Sequence, residues 1–203
     1  VHKTVLVSGP AVEPVTVAEA KTHLHITSST QDTYIGTLIT TARRQLERYL
    51  NRAFITQSWK VYYDCWQHEL LIPFGNLQIA DSTPGPESPV VKYYNTAGVL
   101  TTLTANDYYW IVNTTDPARI VRKYDVTYPE LQDGRPDAIE IAFSAGFGDA
   151  ATAIPDEIKH AMKLLITNYY EHRGDIVTGG NTVHQIPKFI TDLVHSYKLY
   201  GSF

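Results

Sequence analysis

The side chains that could do chemistry are few and badly spaced for it. His23 and His25 are the first candidate metal ligands, but two residues apart on a helix is about 200° of rotation, so their rings diverge. Glu157 and His160 have the Glu-x-x-His spacing of carboxylate-bridged metal sites, which need two such copies, and the sequence holds one. The run Ala142-Phe143-Ser144-Ala145-Gly146 approximates a nucleophile elbow without its first glycine, and the next helix signal comes too late for a strand-turn-helix corner, so Ser144 reads as structural. Gly146, Gly148, Gly179 and Gly180 belong neither to a phosphate loop nor to a dinucleotide fingerprint. Cys65 lies among Tyr63, Asp64 and Trp66 with no basic neighbour, which suits a packed thiol better than a nucleophile. Asn113-Thr114-Thr115 is a formal glycosylation sequon, expected to stay unmodified without a secretory signal. The expectation is a protein with no catalytic residue, no metal and no cofactor.

Aromatic residues are the other resource. The 14 tyrosines and 3 tryptophans include Tyr62-Tyr63, Tyr93-Tyr94, Tyr108-Tyr109-Trp110 and Tyr169-Tyr170, where one member of each group can enter a core and another face outward. Base stacking calls for interleaved lysines and arginines, which are sparse, so core packing and protein contact is the better reading.

The elements that must position these side chains follow from periodicity. Thr16 and Glu19 have capping-box spacing, predicting a helix from Val17 to about His25 with Val17, Ala20 and Leu24 on one side. Ile35, Leu38, Ile39, Ala42, Leu46, Tyr49 and Leu50 predict a longer helix over Gln31 to Asn51, with Arg43, Arg44, Glu47 and Arg48 as a solvated face or a contact to another subunit. From Phe54 the pattern alternates. Strands are expected near Trp59–Tyr63, Glu69–Ile72, Leu77–Ala80, Val90–Tyr94, Val99–Leu103, Tyr108–Val112, Arg119–Arg122 and Ala138–Phe143, with a hairpin tip at Asn95–Gly98 and an exposed Pro-rich linker over Ser82–Pro89. Helical spacing returns at Pro155 with Ile158, Ala161, Met162, Leu165 and Tyr169, stopping at Gly174. A loop over Asp175–Gln185 should precede a last helix from about Pro187, burying Phe189 or Ile190, Leu193, Val194 and Tyr197 and leaving Leu199, Tyr200 and Phe203 in an apolar tail.

This pattern gives an α+β fold, with residues 1–53 and 144–203 as one helical bundle and 54–143 as an inserted β-rich lobe. The expected core includes Leu24, Ile39, Ala42, Leu46, Ile158, Met162, Leu165, Leu193 and Val194. A length of 203 residues allows one such domain, and 43% hydrophobic against 19% charged residues is globular composition. The net charge of −4 disfavours tight sequence-independent nucleic-acid binding. One cysteine permits no internal bridge, as expected of a reducing cytoplasm. Val5–Val7 is too short for a signal-peptide core, and no run approaches the roughly 20 apolar residues of a membrane span.

The ordered set of motifs carries further meaning. Glu13 to Leu24 is followed by Ala42-Arg43, Glu47-Arg48-Tyr49, Asn51-Arg52 and Ile55-Thr56-Gln57, then by Ala145-Gly146-Phe147-Gly148, Ile154-Pro155, Ile158-Lys159, Tyr170-Glu171-His172-Arg173 and Ile186-Pro187. In this order the chain resembles the head-tail connector, or adaptor, proteins of long-tailed bacteriophages and of gene transfer agents. The tail from Lys198 to Phe203 departs from the pattern by running on past the last helix. The resemblance implies a non-enzymatic homo-oligomer, a ring of about twelve copies in the virion neck, made in the host bacterial cytoplasm. Such a ring docks beneath the capsid portal protein, meets a stopper or tail-completion protein, and lets double-stranded DNA pass without sequence-specific binding or membrane contact. The exposed apolar tail would dock on the portal through Tyr197, Lys198, Leu199, Tyr200 and Phe203. Arg43, Arg48, Tyr108, Tyr109 and Asn181 are the candidates for contacts to neighbouring subunits or the next neck protein. Alternative functions are another neck component, or a monomeric carbohydrate- or ligand-binding module built on the aromatic lobe.

Overall fold

The computed structural model describes residues 2–74, 89–112, 117–172, 177–178, 181–182 and 186–200. The expected strand over Leu77–Ala80, most of the linker at Ser82–Pro89, the sequon at Asn113, Gly174, the greater part of the loop over Asp175–Gln185, and Phe203 lie outside them. The fold is α+β, as the sequence indicates.

Helix α1 (Val17–His23) begins where the capping box predicts: the Glu19 amide donates to Thr16 Oγ1 at 3.2 Å while the Thr16 amide donates to Glu19 Oε2 at 2.7 Å. Helix α2 (Asp32–Leu50) ends at Asn51, whose φ of 55° is left-handed, a conformation asparagine tolerates better than most side chains. Helices α3 (Asp156–Glu171) and α4 (Lys188–Val194) each follow a proline, Pro155 and Pro187. The four helices bury one cluster: Ala20 of α1, Ile35, Ile39, Ala42, Leu46 and Leu50 of α2, Ile158, Met162 and Leu165 of α3, and Ile190 and Val194 of α4. Leu24 packs half-buried against it. Leu193 is a correction to the expected core, at 36% exposed; on this short helix Ile190 and Val194 turn inward, leaving Phe189 and Leu193 outside.

The β-rich part has two sheets. One has the order β1-β2-β8-β4-β5, from β1 (His2–Ser8), β2 (Gln57–Tyr63), β8 (Ile139–Ala145), β4 (Val90–Tyr94) and β5 (Leu100–Thr102), with every neighbouring pair antiparallel. The other has the order β3-β7-β6, from β3 (Glu69–Ile72), β7 (Ala118–Arg122) and β6 (Tyr108–Ile111). A two-stranded ribbon joins β9 (Val177–Thr178) to β10 (Asn181–Thr182). Val61, Val91, Ile139 and Ile141 of the first sheet share a second buried cluster with Leu70, Ile72, Trp110 and Ile120 of the second. Strand β8 alternates buried and half-buried residues along its whole length, as a strand with one core face must. Strand β1 was not legible in the sequence and completes the edge of the larger sheet, paired with β2.

The glycines after β8 have a steric cause. Phe147 donates its amide to the Phe54 carbonyl at 2.7 Å and the Gly148 carbonyl accepts from Thr56 at 3.0 Å, so this segment lies directly on residues 54–56. A Cβ at Gly146 would stand 2.5 Å from the Thr56 nitrogen. That distance leaves no room for alanine.

Two outcomes check these local arguments. Thr16→Ala should cost about 1 kcal/mol at neutral pH in urea denaturation. Its Glu19 partner is held below the ordinary carboxylate range mainly by the Thr16 backbone hydrogen bond. The stability from Glu19 is therefore present above the unfolded-state value and disappears as pH falls through the folded-state one; alanine keeps the backbone amide that holds Glu19, so the gap between mutant and parent, set by the lost Thr16 hydroxyl bond, should persist under acid conditions. Gly146→Ala should be the harsher substitution, losing about 1–3 kcal/mol through overpacking.

Candidate interaction surfaces

The polar residues of α2 are organised inward. Arg43 Nε donates to Glu13 Oε2 at 2.8 Å and Nη1 to Glu47 Oε2 at 2.7 Å, and the arginine is only 5% exposed. Glu13 also accepts from Thr40 Oγ1 at 2.9 Å. The second oxygen of Glu47 accepts the Phe54 amide at 2.9 Å and Gln57 Nε2 at 2.7 Å. Burial works against the Arg43 charge, yet the Glu13 and Glu47 carboxylates outweigh it and hold the guanidinium above its ordinary value. Burial pushes the Glu47 carboxyl up while Arg43, Phe54 and Gln57 pull it down. Arg43 and Glu47 are thus corrections to the solvated face read from the sequence. Arg44 and Arg48 do stay exposed.

The C-terminal segment is fastened to the end of α2. Leu199 donates its amide to the Leu50 carbonyl at 2.9 Å, its carbonyl accepts from Asn51 Nδ2 at 3.2 Å, and its side chain is fully buried. Arg52 donates to the Tyr197 carbonyl. Tyr197 donates to Glu157 Oε2 at 3.1 Å and meets Phe147 edge-on, while Lys198 Nζ sits 4.3 Å from the centre of the Tyr49 ring. Tyr200 is 58% exposed and hydrogen-bonds His195 Nε2 at 2.9 Å.

The structure therefore divides the candidates. Lys198 comes together with Tyr49 and Tyr200 while Tyr197 turns to Glu157 and Phe147, and Leu199 is withdrawn from the accessible set because its side chain fills the protomer's own interior. Phe203 lies outside the described residues. Arg43 is withdrawn by its two carboxylates. Tyr108 is withdrawn as well, being 5% exposed with its hydroxyl donating to the Pro89 carbonyl at 3.2 Å. Tyr109 remains outward at 56% exposure under Lys123. Asn181 begins β10, away from Arg48 and Tyr109 in the chain. Cys65 is exposed rather than packed, the turn after β2 carrying it out of the sheet. His23 meets the edge of His160 at 6.3 Å. No cluster of three metal-ligating side chains occurs among the described residues, and no described helix is long and apolar enough to cross a membrane.

Sequence reasoning missed the outer face of α4. Phe189, 60% exposed, and Leu193 are four residues apart and form an apolar stripe facing out. The available signal was ambiguous, since Phe189, Ile190, Leu193, Val194 and Tyr197 offer two overlapping apolar faces and packing alone selects one.

Comparison with known proteins bears on these surfaces. Residues 14–86 match the family described as phage gp6-like head-tail connector protein. No curated protein matches the chain. Among solved structures it is similar to a chain from the neck of an empty GTA particle computed with C6 symmetry, with a TM-score of 0.76 and 21% identity over 99% of this chain and 97% of that one. A chain from the virion of a native gene transfer agent (GTA) particle gives a TM-score of 0.74 at 20% identity, over 98% and 97% of the two chains. A third similarity, to the neck of a native GTA particle computed with C12 symmetry, has a TM-score of 0.66 at 22% identity, over 98% and 97%. The fold is shared from end to end, and the resemblance to head-tail connectors read from the sequence is borne out.

The buried and exposed residues should behave differently. Glu47→Ala, which leaves Arg43 short of a carboxylate, should lose about 3–5 kcal/mol, and Leu199→Ala about 2–5 kcal/mol. Phe189→Ser and Tyr200→Ser should stay within about 0.5 kcal/mol of the parent. Urea denaturation of the four variants checks the division.

Proposed function

We propose that this chain is a structural head-tail adaptor of the virion neck, forming a ring that joins the capsid portal to the next neck or tail protein and extends the DNA channel. The observation that carries this is the conjunction of a connector-family match over residues 14–86 with a fold that covers 97% of a chain from a GTA neck. The role is one of adhesion and shape, with no reaction. A ring suits the chemistry, because cyclic assembly joins one face of a protomer to a different face of its neighbour and needs side surfaces that are not heavily charged. The reported C6 and C12 symmetries of the similar necks support a closed ring, here of about twelve copies.

In this reading the helical part, residues 1–53 and 144–203, carries the portal contact, and the β-rich part over 54–143, extended by β1, faces neighbouring subunits and the next neck protein. The portal-facing surface is the outer stripe of α4 with the residues beyond it: Phe189, Leu193, Tyr197, Lys198 and Tyr200. Each contact needs only millimolar affinity, about −4 kcal/mol, because repetition around a ring makes attachment effectively permanent. The charge of −4 per chain serves the conduit, since DNA sliding past a net negative wall is not held by it.

Another neck component is distinguished by level along the axis. Imaging of intact particles should show this protein as a collar in direct contact with the portal; a collar without it, or its density one level further down, would overturn the assignment. The combined variant Phe189→Ser, Leu193→Ser, Tyr200→Ser should fold normally and fail to copurify with portal-bearing heads. Copurification at the parental level would remove α4 from the portal contact.

A further inference from the structure

A cleft of about 490 Å³ opens between the C-terminal half of α2 and the end of the larger sheet where β1 leaves it. Its apolar wall includes Leu6, Pro10, Trp59 and Phe74, with the Trp59 and Phe74 rings 4.5 Å apart. Leu6 is 46% exposed. Its polar wall presents Arg44 and Arg48, both exposed and neither in an ion pair among the described residues. The one carboxylate lining the cleft, Glu47, is already taken by Arg43, Phe54 and Gln57. A net positive, aromatic-floored cleft is therefore built into a protein whose total charge is −4.

Its complement is in the connection from β7 to β8. The segment from Tyr124 to Asp133 has three carboxylates, Asp125, Glu130 and Asp133, and the cations that flank it are turned to the protomer's own groups: Arg122 to the Val126 carbonyl and the Tyr128 ring, Lys123 to the Tyr109 ring, and Arg135 to Gln132 and the Tyr94 ring. All three carboxylates are exposed and none is ion-paired among the described residues. Tyr124 is 95% exposed, so the protomer gives its ring almost no cover. The segment is nonetheless held in place: Tyr128 stacks on Trp66 at 4.2 Å, the Trp66 indole donates to the Pro129 carbonyl at 2.8 Å, and the Gln132 amide donates to the Tyr94 carbonyl at 3.0 Å. Strand β2 leads away from the cleft, running about 20 Å at 3.3 Å per residue from Gln57 in the cleft to Tyr63, three residues before the Trp66 that stacks on Tyr128 of the segment. At that separation one protomer cannot fill its own cleft.

We infer that the cleft receives the Tyr124–Asp133 segment of a neighbouring copy of this chain, the tyrosine entering against Trp59 and Phe74 and the carboxylates meeting Arg44 and Arg48. Two different faces of one protomer are thereby joined, which is the head-to-tail contact that closes a ring. Opposite charge fixes the direction of the contact and suppresses like-to-like pairing, and the desolvated aromatic supplies the anchor. The inference rests on the ring proposed above.

The test uses the full chain with its exposed thiol removed, Cys65→Ser, in two further variants that keep the proposed contact residues, Gly9→Cys on the cleft lining, where a side chain meets nothing, and the exposed Thr127→Cys three residues from Tyr124. Mixed under mild oxidation, they should give the mixed disulfide in about tenfold excess over either homodimer, because binding raises the local thiol concentration for that pair alone. In parallel, a synthetic peptide spanning Lys123–Gly134 should bind the full chain as followed by tryptophan fluorescence. A version carrying Tyr124→Ser should bind about tenfold more weakly, the scale of one lost anchor. Support requires both results. Homodimers in excess would mean a two-fold contact and overturn the proposal, as would the absence of the mixed disulfide. Equal binding of the two peptides, or of an unrelated acidic peptide, would mean the cleft accepts anionic chains in general and would equally overturn this occupant. A mixed disulfide from a protein absent from the collar of intact particles would sink the neck assignment alone, whereas a collar without that disulfide would sink the cleft contact alone.

Discussion

One buried carboxylate joins the two halves of this protein. Glu47 sits near the end of α2 and accepts from Arg43 on its own helix, from the Phe54 amide in the connection and from Gln57 at the start of β2. Three donors on one carboxylate turn a costly buried charge into a joint, because each lone pair lost to water is replaced by a directed partner. The helical cluster and the sheet cluster meet across it, with Phe54 and Ile55 packed in the first and Ala53 in the second. Arg43 then carries the joint outward to Glu13, just before α1, so the start of the chain is registered against the same helix.

The joint also decides which surfaces are left over. With Glu47 and Arg43 committed inward, the remaining charge on that side of α2 is the pair Arg44 and Arg48, a small positive field beside an apolar cleft. The same end of the helix receives the C-terminal segment, through the Leu199 backbone and its buried side chain. That anchorage turns the residues around it outward in a fixed orientation: Tyr200 beyond it, and Phe189 and Leu193 on the turn of helix before it. An apolar stripe held rigidly costs little entropy to dock, and such contacts need little individual strength when an assembly repeats them.

The proposed work of adhesion places different demands on interior and exterior from the work of catalysis. The interior here is conventional, two close-packed clusters with Arg43, Glu47 and Gln57 hydrogen-bonded to one another and to the fold between them. The unusual features are all outside: an aromatic ring with almost nothing covering it, a helix face of large apolar side chains, and a cleft whose two exposed arginines have no ion-pair partner among the described residues. In a solitary protein these would be liabilities for solubility. In the proposed ring they serve as complementary halves of contacts.

The amino-acid sequence by itself determined the local grammar. The Thr16–Glu19 box starts α1, the apolar repeat fixes α2 and α3, and alternation marks most strands, because each signal depends on neighbours a few residues away. It also carried the resemblance to connector proteins, through short motifs in a set order. Tertiary structure alone decided which of two apolar faces of α4 turned inward, that Arg43 and Glu47 were a buried joint and no solvated face, and that Leu199 was interior. Strand β1 likewise gained its identity only from pairing with β2, since the consecutive apolar residues Val5 to Val7 break the alternation and none of the side chains from Lys3 to Ser8 is buried. These choices turn on partners far away in the chain: Glu47 selects Gln57, Leu50 selects Leu199, and no window along the sequence contains both members of the second pair.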